Sequence, residues 1–334
     1  MNRVFVIGDI HGCYDELIAL LEKVAFDDED FLVALGDIVD RGNKSKEVYH
    51  FFKDRANAVV LIGNHERKHI NGVLSYAQEI VKLQLGDEYD DFLKWLKGKP
   101  YYYELAEAIV VHAAYEDGKV PSIQKEEVLS GATSGQRYLN ERYPPSGLWN
   151  DHYRGEKMIV YGHQVVGDFP KTINNTIGID TGACNGGFLT ALELPGFNIH
   201  QVASKRDYWK EEQKIWQLKI LQSKPWVEMS LDMSGKLVDK LSFVQEPDVL
   251  EFLIKLKAWF KYLDDLLPEI IKKIEALTIS LMKESGADFS LEARNYAFYN
   301  LIFKCRNGNL SLNDLEKFNT PLKRVVLARE LGIE

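Results

Sequence analysis

The sequence predicts an α/β domain over about the first two hundred residues, followed by a mainly helical domain. Three observations carry this expectation. Short β-branched runs alternate with helical apolar spacing through the first half. From Asp248 to Glu284 the pattern is helical throughout. The residues able to do chemistry stand in short, glycine-flanked clusters at the ends of the expected strands. A length of 334 residues suits about two domains, and the change of texture places them at 1–204 and 205–334.

In order, Arg3–Gly8 reads as a strand and Leu17, Leu20, Leu21 and Val24 as a helix face. Asp30–Gly36 is a second strand, and Ser45 the N-cap of a helix with Val48, Phe51 and Phe52 on one stripe. Ala58–Ile62 is a third strand. Glu66 to about Leu85 reads as one helix, and Phe92–Leu96 opens another. Ala108–Val111, Met158–Tyr161, Thr176–Ile179, Phe188–Leu194 and Phe197–Ala203 are further strands, the last two joined by Pro195-Gly196. Beyond Ser204, Gln217–Leu221 and Leu237–Val244 read as strands. Pro268 splits the long helical stretch. Ser290–Arg306 and Ser311–Leu331 read as helices capped by Ser290 and Ser311.

Composition excludes several classes. The 46% apolar and 27% charged residues fit a folded protein with a sizeable core. No apolar run reaches the roughly 20 residues of a membrane helix, and Met1-Asn2-Arg3 does not begin a signal peptide. Cys13, Cys184 and Cys305 are widely spaced and form no CxxC, which points to a cytoplasmic protein. The net charge of −9 is uneven. Residues 205–334 hold 21 Lys and Arg against 20 Asp and Glu, and residues 1–204 hold 20 against 30. This is not the basic footprint of a dedicated nucleic-acid binder, although Lys304, Arg306, Lys317, Lys323, Arg324 and Arg329 make a local basic tail against Asp314 and Glu316.

The clusters are Gly8-Asp9-Ile10-His11-Gly12, Gly36-Asp37-Ile38-Val39-Asp40-Arg41-Gly42 and Gly63-Asn64-His65-Glu66, then His112, then Gly162-His163. Each starts at the C-terminal end of an expected strand, the edge where open α/β sheets bind ligands. Carboxylates, imidazoles and an amide oxygen together suit a pair of divalent cations such as Mn²⁺, Fe or Zn²⁺.

This ordered set, GDxHG, GDxVDRG, GNHE, a lone His and a GH pair, resembles the calcineurin-like metallophosphoesterase superfamily and, within it, the PPP-type phosphatases. The resemblance spans about residues 1–203. It implies an αββα sandwich of two mixed sheets flanked by helices. It implies two bound divalent ions, Mn²⁺ first, with Fe, Zn²⁺, Ni²⁺ and Mg²⁺ as alternatives. Asp9 and His11 would bind one metal, Asp37 would bridge, and Asn64, His112 and His163 would complete the second. His65 would be the general acid, oriented by Asp40. Arg41, with Asn64, would hold the substrate phosphate. A metal-bridging hydroxide would attack phosphorus in line.

Residues 149–191, with Trp149-Asn150-Asp151-His152-Tyr153-Arg154-Gly155, Asn174-Asn175-Thr176 and Ile179-Asp180-Thr181-Gly182, resemble more closely the phosphatase module of bacterial polynucleotide kinase–phosphatases, which repair RNA. That likeness adds Asp180 as a supporting residue and Arg154 as a second phosphate contact. No P-loop or Lys-x-Asp-Gly motif accompanies it, and Gln164 and Ala113-Ala114 depart from the usual residues.

The expected substrate is a phosphorylated protein, RNA end or nucleotide. Phosphoprotein Ser/Thr or nucleic-acid-end phosphates come first, with symmetrical dinucleoside tetraphosphate hydrolysis as the alternative. Two readings of another class compete: a non-catalytic scaffold, and a zinc protease, because His65-Glu66-Arg67-Lys68-His69 spells HExxH. Under the phosphatase reading His69 is a helix-surface or packing residue, Cys13 a small buried one, and Tyr101-Tyr102-Tyr103 a packing segment.

Overall fold

The computed structural model describes residues 3–145, 148–241 and 246–333. The chain forms two compact units, residues 1–216 and 217–334. The division falls within the helix Tyr208–Ser223, whereas the sequence suggests a change at Ser204.

The first unit runs β1 (Val4–Ile7), α1 (Tyr14–Lys23), β2 (Phe31–Ala34), α2 (Ser45–Lys53), β3 (Ala58–Val60), α3 (Asn64–Ile70), α4 (Tyr76–Leu85), α5 (Tyr89–Leu96), β4 (Tyr102–Glu104) and β5 (Ala108–Val111). It continues with α6 (Glu126–Leu129), α7 (Thr133–Arg142), β6 (Met158–Tyr161), β7 (Lys171–Ile173), β8 (Thr176–Gly178), β9 (Phe188–Leu194) and β10 (Asn198–Ala203). One sheet has the order β10-β9-β1-β2-β3 and the other β4-β5-β6-β8-β7. In the first, β1, β2 and β3 are parallel and β9 and β10 antiparallel. In the second, β5, β6 and β8 are parallel between antiparallel edges β4 and β7.

The two-residue period of a strand divides each sheet between two cores. Phe5 and Ile7 of β1 pack with Leu17 and Leu20 of α1 and Val48 and Tyr49 of α2. Val6, between them, packs with Val33, Leu61, Val110, Val160 and Leu192, joining the inner faces of both sheets. On the far face of the second sheet, Ile109, Val111, Ile159 and Tyr161 meet Val128, Leu129 and Leu139 of α6 and α7. The layers are therefore α, β, β, α. Burial on both faces explains why these strands are continuous apolar runs.

Several local expectations are corrected. The stretch from Glu66 to Leu85 is two helices, α3 and α4, because the chain turns through Gly72 at φ +66 and α4 restarts behind Ser75, whose N–H is held by the Gln78 side chain. Ser45 is the first residue of α2, and its hydroxyl accepts instead from Asp40 N–H. Short strands β4 and β7 and helices α6 and α7 carry too little periodicity to be read beforehand.

The second unit is helical. The chain enters it through α8 (Tyr208–Ser223) and continues with α9 (Leu231–Lys240), α10 (Pro247–Asp265), α11 (Leu267–Glu284), α12 (Phe289–Ala293), α13 (Tyr299–Arg306) and α14 (Pro321–Glu330). The expected strands are helical at 217–221 and 237–240, with Leu241 capping α9; residues 242–244 of the second lie outside the described residues. Ser230 caps α9 by accepting from Met233 N–H, and Ser234 and Val238, one turn apart, are buried. Pro268 splits the long stretch as expected, leaving Leu266 between α10 and α11. Ser290 lies inside α12 and caps nothing, and the helix expected over 290–306 is broken between α12 and α13 so that Phe298 enters the core. Ser311 does cap, but a single 3₁₀ turn, with α14 starting separately behind Thr320. In the basic tail, Lys304 pairs with Asp314 and Arg324 with Asp264. No described helix is long and apolar enough to cross a membrane.

Leu192 is fully buried in the inter-sheet core, whereas Ile199 on the edge strand β10 is 47% exposed. Leu192→Ala is expected to cost about 2–5 kcal/mol, and Ile199→Ala about 0.5 kcal/mol or less. Urea denaturation of the two variants beside the parent checks the contrast; equal losses would refute the layered core.

A candidate dinuclear metal site at the edge of both sheets

Six loops meet at the C-terminal ends of parallel strands. Asp9 and His11 follow β1, Asp37, Asp40 and Arg41 follow β2, and Asn64 and His65 open α3 after β3. From the second sheet, His112 follows β5, His163 follows β6 and Asp180 follows β8. Their side chains reach one place because the backbone turns sharply. Of the eight described non-glycine residues with positive φ, five are His11, Asp37, Asp40, Arg41 and His163. Such conformations cost on the order of 1–3 kcal/mol each and persist only where the surroundings enforce them. Gly63 has a different reason: a Cβ there would stand 2.2 Å from Asp37 Oδ1.

Asp37 is the centre. His11 Nε2 lies 3.6 Å from its Oδ2, and His112 Nε2 lies 3.5 Å from its Oδ1. Two groups of ligand atoms share it, His11–Asp37–His65 and Asp37–His112–His163, each within 4.8 Å. Asn64 Oδ1 joins the second, 3.2 Å from His112 Nε2 and 3.0 Å from His163 Nδ1. Asp9 takes the N–H of His163 on both carboxylate oxygens, at 3.1 Å each.

The residues fit cations on electronic grounds. His11 Nδ1 donates to Val39 O at 2.9 Å, and His112 Nδ1 donates to Leu35 O at 3.2 Å. Those bonds fix the tautomers, so both Nε2 atoms present lone pairs. Burial pushes both imidazoles toward the neutral form, His11 to about 3 and His112 to about 4. The His112 lone pair then faces the lone pairs of Asn64 Oδ1 and Asp37 Oδ1 with no proton between them. The carboxylates repeat the pattern. Burial, then the neighbouring Asp180 and Asp37, pushes Asp9 well up. Burial chiefly, with Asp37 adding, brings Asp180 to about 6. Burial acts the same way on Asp37, but His112, His65, His11 and His163 outweigh it and hold that carboxyl below its ordinary range. A set of buried acceptors facing inward is stable when positive charge sits among them. The donor set, mixed imidazole, carboxylate and amide oxygen, suits first-row divalent ions.

A second network adjoins the first. His65 Nδ1 donates to Asp40 Oδ2 at 2.6 Å, and its Nε2 accepts from Arg41 Nη2 at 3.1 Å. Burial lowers the His65 pKa, but Asp37 and the Asp40 hydrogen bond prevail and raise it. Asp40 is held from the other side by His69 Nε2 at 3.0 Å and by the Gln78 amide. His69 Nδ1 accepts from Tyr89 O–H at 3.0 Å. His69 is therefore fully buried beneath the site, so of the helix-surface and packing alternatives the packing one holds. The same contacts remove the protease reading: both His69 nitrogens are used, and Glu66 accepts from the backbone N–H groups of Asp37, Ile38 and Gly63.

The remaining expected residues divide. Asp180 is buried beside Asp9 and accepts from Gly182 N–H. Arg154 is exposed, and its guanidinium donates to the carbonyls of Asp151 and Tyr153 in its own loop; the structure does not draw it into the cluster. Cys13 is buried, and burial raises its thiol. Sequence reading missed the supports His69, Gln78 and Tyr89. His69 had a signal, one helical turn after His65, whereas Gln78 and Tyr89 had none.

Fold and site together define a metallophosphoesterase, and comparison with known proteins gives the family. The chain belongs to the calcineurin-like phosphoesterases, whose family model matches residues 2–177. It is a hydrolase of phosphoric ester bonds. Among curated relatives it is 33% identical over 234 residues to an asymmetrical bis(5'-nucleosyl)-tetraphosphatase, PrpE, of Bacillus velezensis, covering 61% of this chain and 93% of that one. The protein of the same name from Bacillus subtilis is 32% identical over 234 residues, covering 61% and 95%. A solved structure described as a proposed diadenosine tetraphosphatase superposes with a TM-score of 0.50 at 27% identity, covering 61% of this chain and 94% of that one. These comparisons do not show the closer likeness to polynucleotide kinase–phosphatases.

His69→Ala is expected to lower kcat/KM by about tenfold or somewhat more, since a hydrogen bond to a charged group is worth about 1.5–3 kcal/mol. Asn64→Ala is expected to lose more, because it removes a ligand atom. Steady-state kinetics of the two variants check the order; a larger loss at His69 would reverse the assignment.

Proposed function

We propose that this chain hydrolyses dinucleoside polyphosphates by asymmetrical attack on the phosphate chain, using two divalent cations, with Mn²⁺ first. One observation carries the substrate: the likeness to asymmetrical bis(5'-nucleosyl)-tetraphosphatases extends over 93% of such a protein's length. The dinuclear donor set supports the reaction class. Asp9, His11 and Asp37 would hold one cation, and Asp37, Asn64, His112 and His163 the other. When bound, such a pair supplies Lewis acidity toward phosphoryl oxygens and makes a coordinated water acidic.

The chain's own residues supply the rest. Arg41 leaves His65 for the phosphate oxygens and stabilises charge that grows on them. Asp40, fixed by His69 and Gln78, keeps Nδ1–H of His65 pointed inward and its Nε2 toward the reacting groups. Once Arg41 has left, His65 takes up a solvent proton on Nε2, as the imidazolium that Asp37 and Asp40 favour, and gives that proton to the leaving oxygen. Asp180, buried beside Asp9, adds to the negative charge that the cations would balance.

A substrate screen tests this reading. Diadenosine tetraphosphate, a phosphoserine peptide, an RNA end bearing a 2′,3′-cyclic phosphate and p-nitrophenyl phosphate would each be offered with Mn²⁺, Mg²⁺, Zn²⁺ or EDTA. The expected result is Mn²⁺-dependent turnover, abolished by EDTA and by Asp37→Asn, with diadenosine tetraphosphate giving AMP and ATP as the best substrate. ADP as sole product would favour symmetrical cleavage, and preference for the peptide or RNA end would replace the substrate.

Proton donation matters more as the leaving oxygen becomes more basic. His65→Ala is therefore expected to cost about 10²–10⁴-fold on phenyl phosphate and much less on p-nitrophenyl phosphate. Equal losses on the two esters would remove His65 from the acid role.

A further inference from the structure

A cavity of about 400 Å³ opens beside the metal site, within the size range of small-molecule pockets. His163, a residue of the second ligand group, forms part of its wall. Val128 and Leu139 make it apolar, and Gln136 and Gln164 stand at exposed positions along it. Trp149 and Asn150 complete it, and both are more than nine-tenths buried.

The polar groups of these two neighbours are only partly used. The Asn150 amide N–H donates to Tyr161 O–H at 3.0 Å, while its Oδ1 has no partner. The Trp149 indole stands edge-on to Tyr161, centroids 5.2 Å apart, and its N–H has no hydrogen-bond partner among the described residues. A buried polar group left without a partner is destabilising, and Asn150 Oδ1 is such a group, so its retention is explained by a ligand that completes it; the Trp149 N–H, which reaches solvent, adds a donor beside it. One is a donor and one an acceptor. A nucleobase edge carries a donor and an acceptor side by side on an otherwise flat, apolar ring.

We propose that this cavity binds the base of the nucleoside phosphate that lies nearest the metals, through Trp149 N–H and Asn150 Oδ1. The inference rests on the dinucleoside polyphosphate reading and deepens it. It gives Trp149-Asn150, singled out in the sequence and unused by the metal chemistry, a part in substrate choice.

Titration calorimetry of the full chain with Mn²⁺ tests the proposal, with AMP and inorganic phosphate as probes. AMP is expected to bind about tenfold or more tightly than phosphate, the worth of one or two hydrogen bonds. Trp149→Phe, which keeps a ring and removes the N–H, and Asn150→Leu are expected to narrow that gap to about twofold or less while leaving phosphate affinity unchanged. Unchanged phosphate binding also reports that the variants are folded. AMP binding no tighter than phosphate, or variants that keep the full gap, overturn the pocket. Turnover of diadenosine tetraphosphate by the parent protein separates the two readings. If it is absent while the AMP preference depends on Trp149, the pocket stands and the substrate falls. If it is present while the variants keep the gap, the substrate stands and the pocket falls.

Discussion

Asp9, Asp37, Glu66 and Asp180 are carboxyl groups buried at one sheet edge, with the guanidinium of Arg41 as a partly buried cation beside them. The imidazoles of His11 and His112 add lone pairs aimed inward, because Val39 O and Leu35 O take their other nitrogens. Such a collection repels itself in a low-dielectric interior, and divalent cations relieve the repulsion. The fold serves to keep these groups together. The backbone accepts left-handed turns at three of them, His11, Asp37 and Arg41, and at the neighbouring Asp40 and His163, and the sandwich behind them holds those turns in place.

Support for the centre is layered outward through hydrogen bonds. Glu66, from the first turn of α3, ties the Asp37 loop to the end of β3 by accepting three backbone N–H groups. One helical turn later His69 reaches Asp40 from the side opposite His65. Helix α4 contributes Gln78 and α5 begins with Tyr89, which closes the chain of donors. An HExxH string thus serves as scaffolding for a phosphoesterase: its spacing puts both histidines on one helix face, and one carboxylate, Asp40, occupies that face.

Reaction type and substrate choice are separate properties of this molecule. The candidate metal ligands come from both sheets and suit attack on phosphorus. The adjoining cavity is bounded by α7, the Trp149 turn and the end of β6, on the outer side of the second sheet. Its two unengaged polar groups face a different requirement, recognition of whatever the phosphate is attached to.

The sequence alone determined the alternation of strands and helices, the placement of each cluster after a strand and the residue types that bind divalent cations. Those features are local: a β-branched run, a glycine at a tight turn and an Asp or His beside it are encoded within a few residues. Pro268 was legible for the same reason, since a proline breaks a helix wherever it falls. Tertiary structure decided what depends on distant neighbours. It turned 217–221 and 237–240 from strand to helix because their apolar residues found helical packing partners, and it split the segment from Glu66 to Leu85 at Gly72. It also brought Gln78 and Tyr89 beneath Asp40, turned the guanidinium of Arg154 onto its own loop and left Trp149 and Asn150 with unused hydrogen bonds in one cavity wall. No short-range spacing in the chain encodes such meetings, because they depend on how the loops and helices around the site pack.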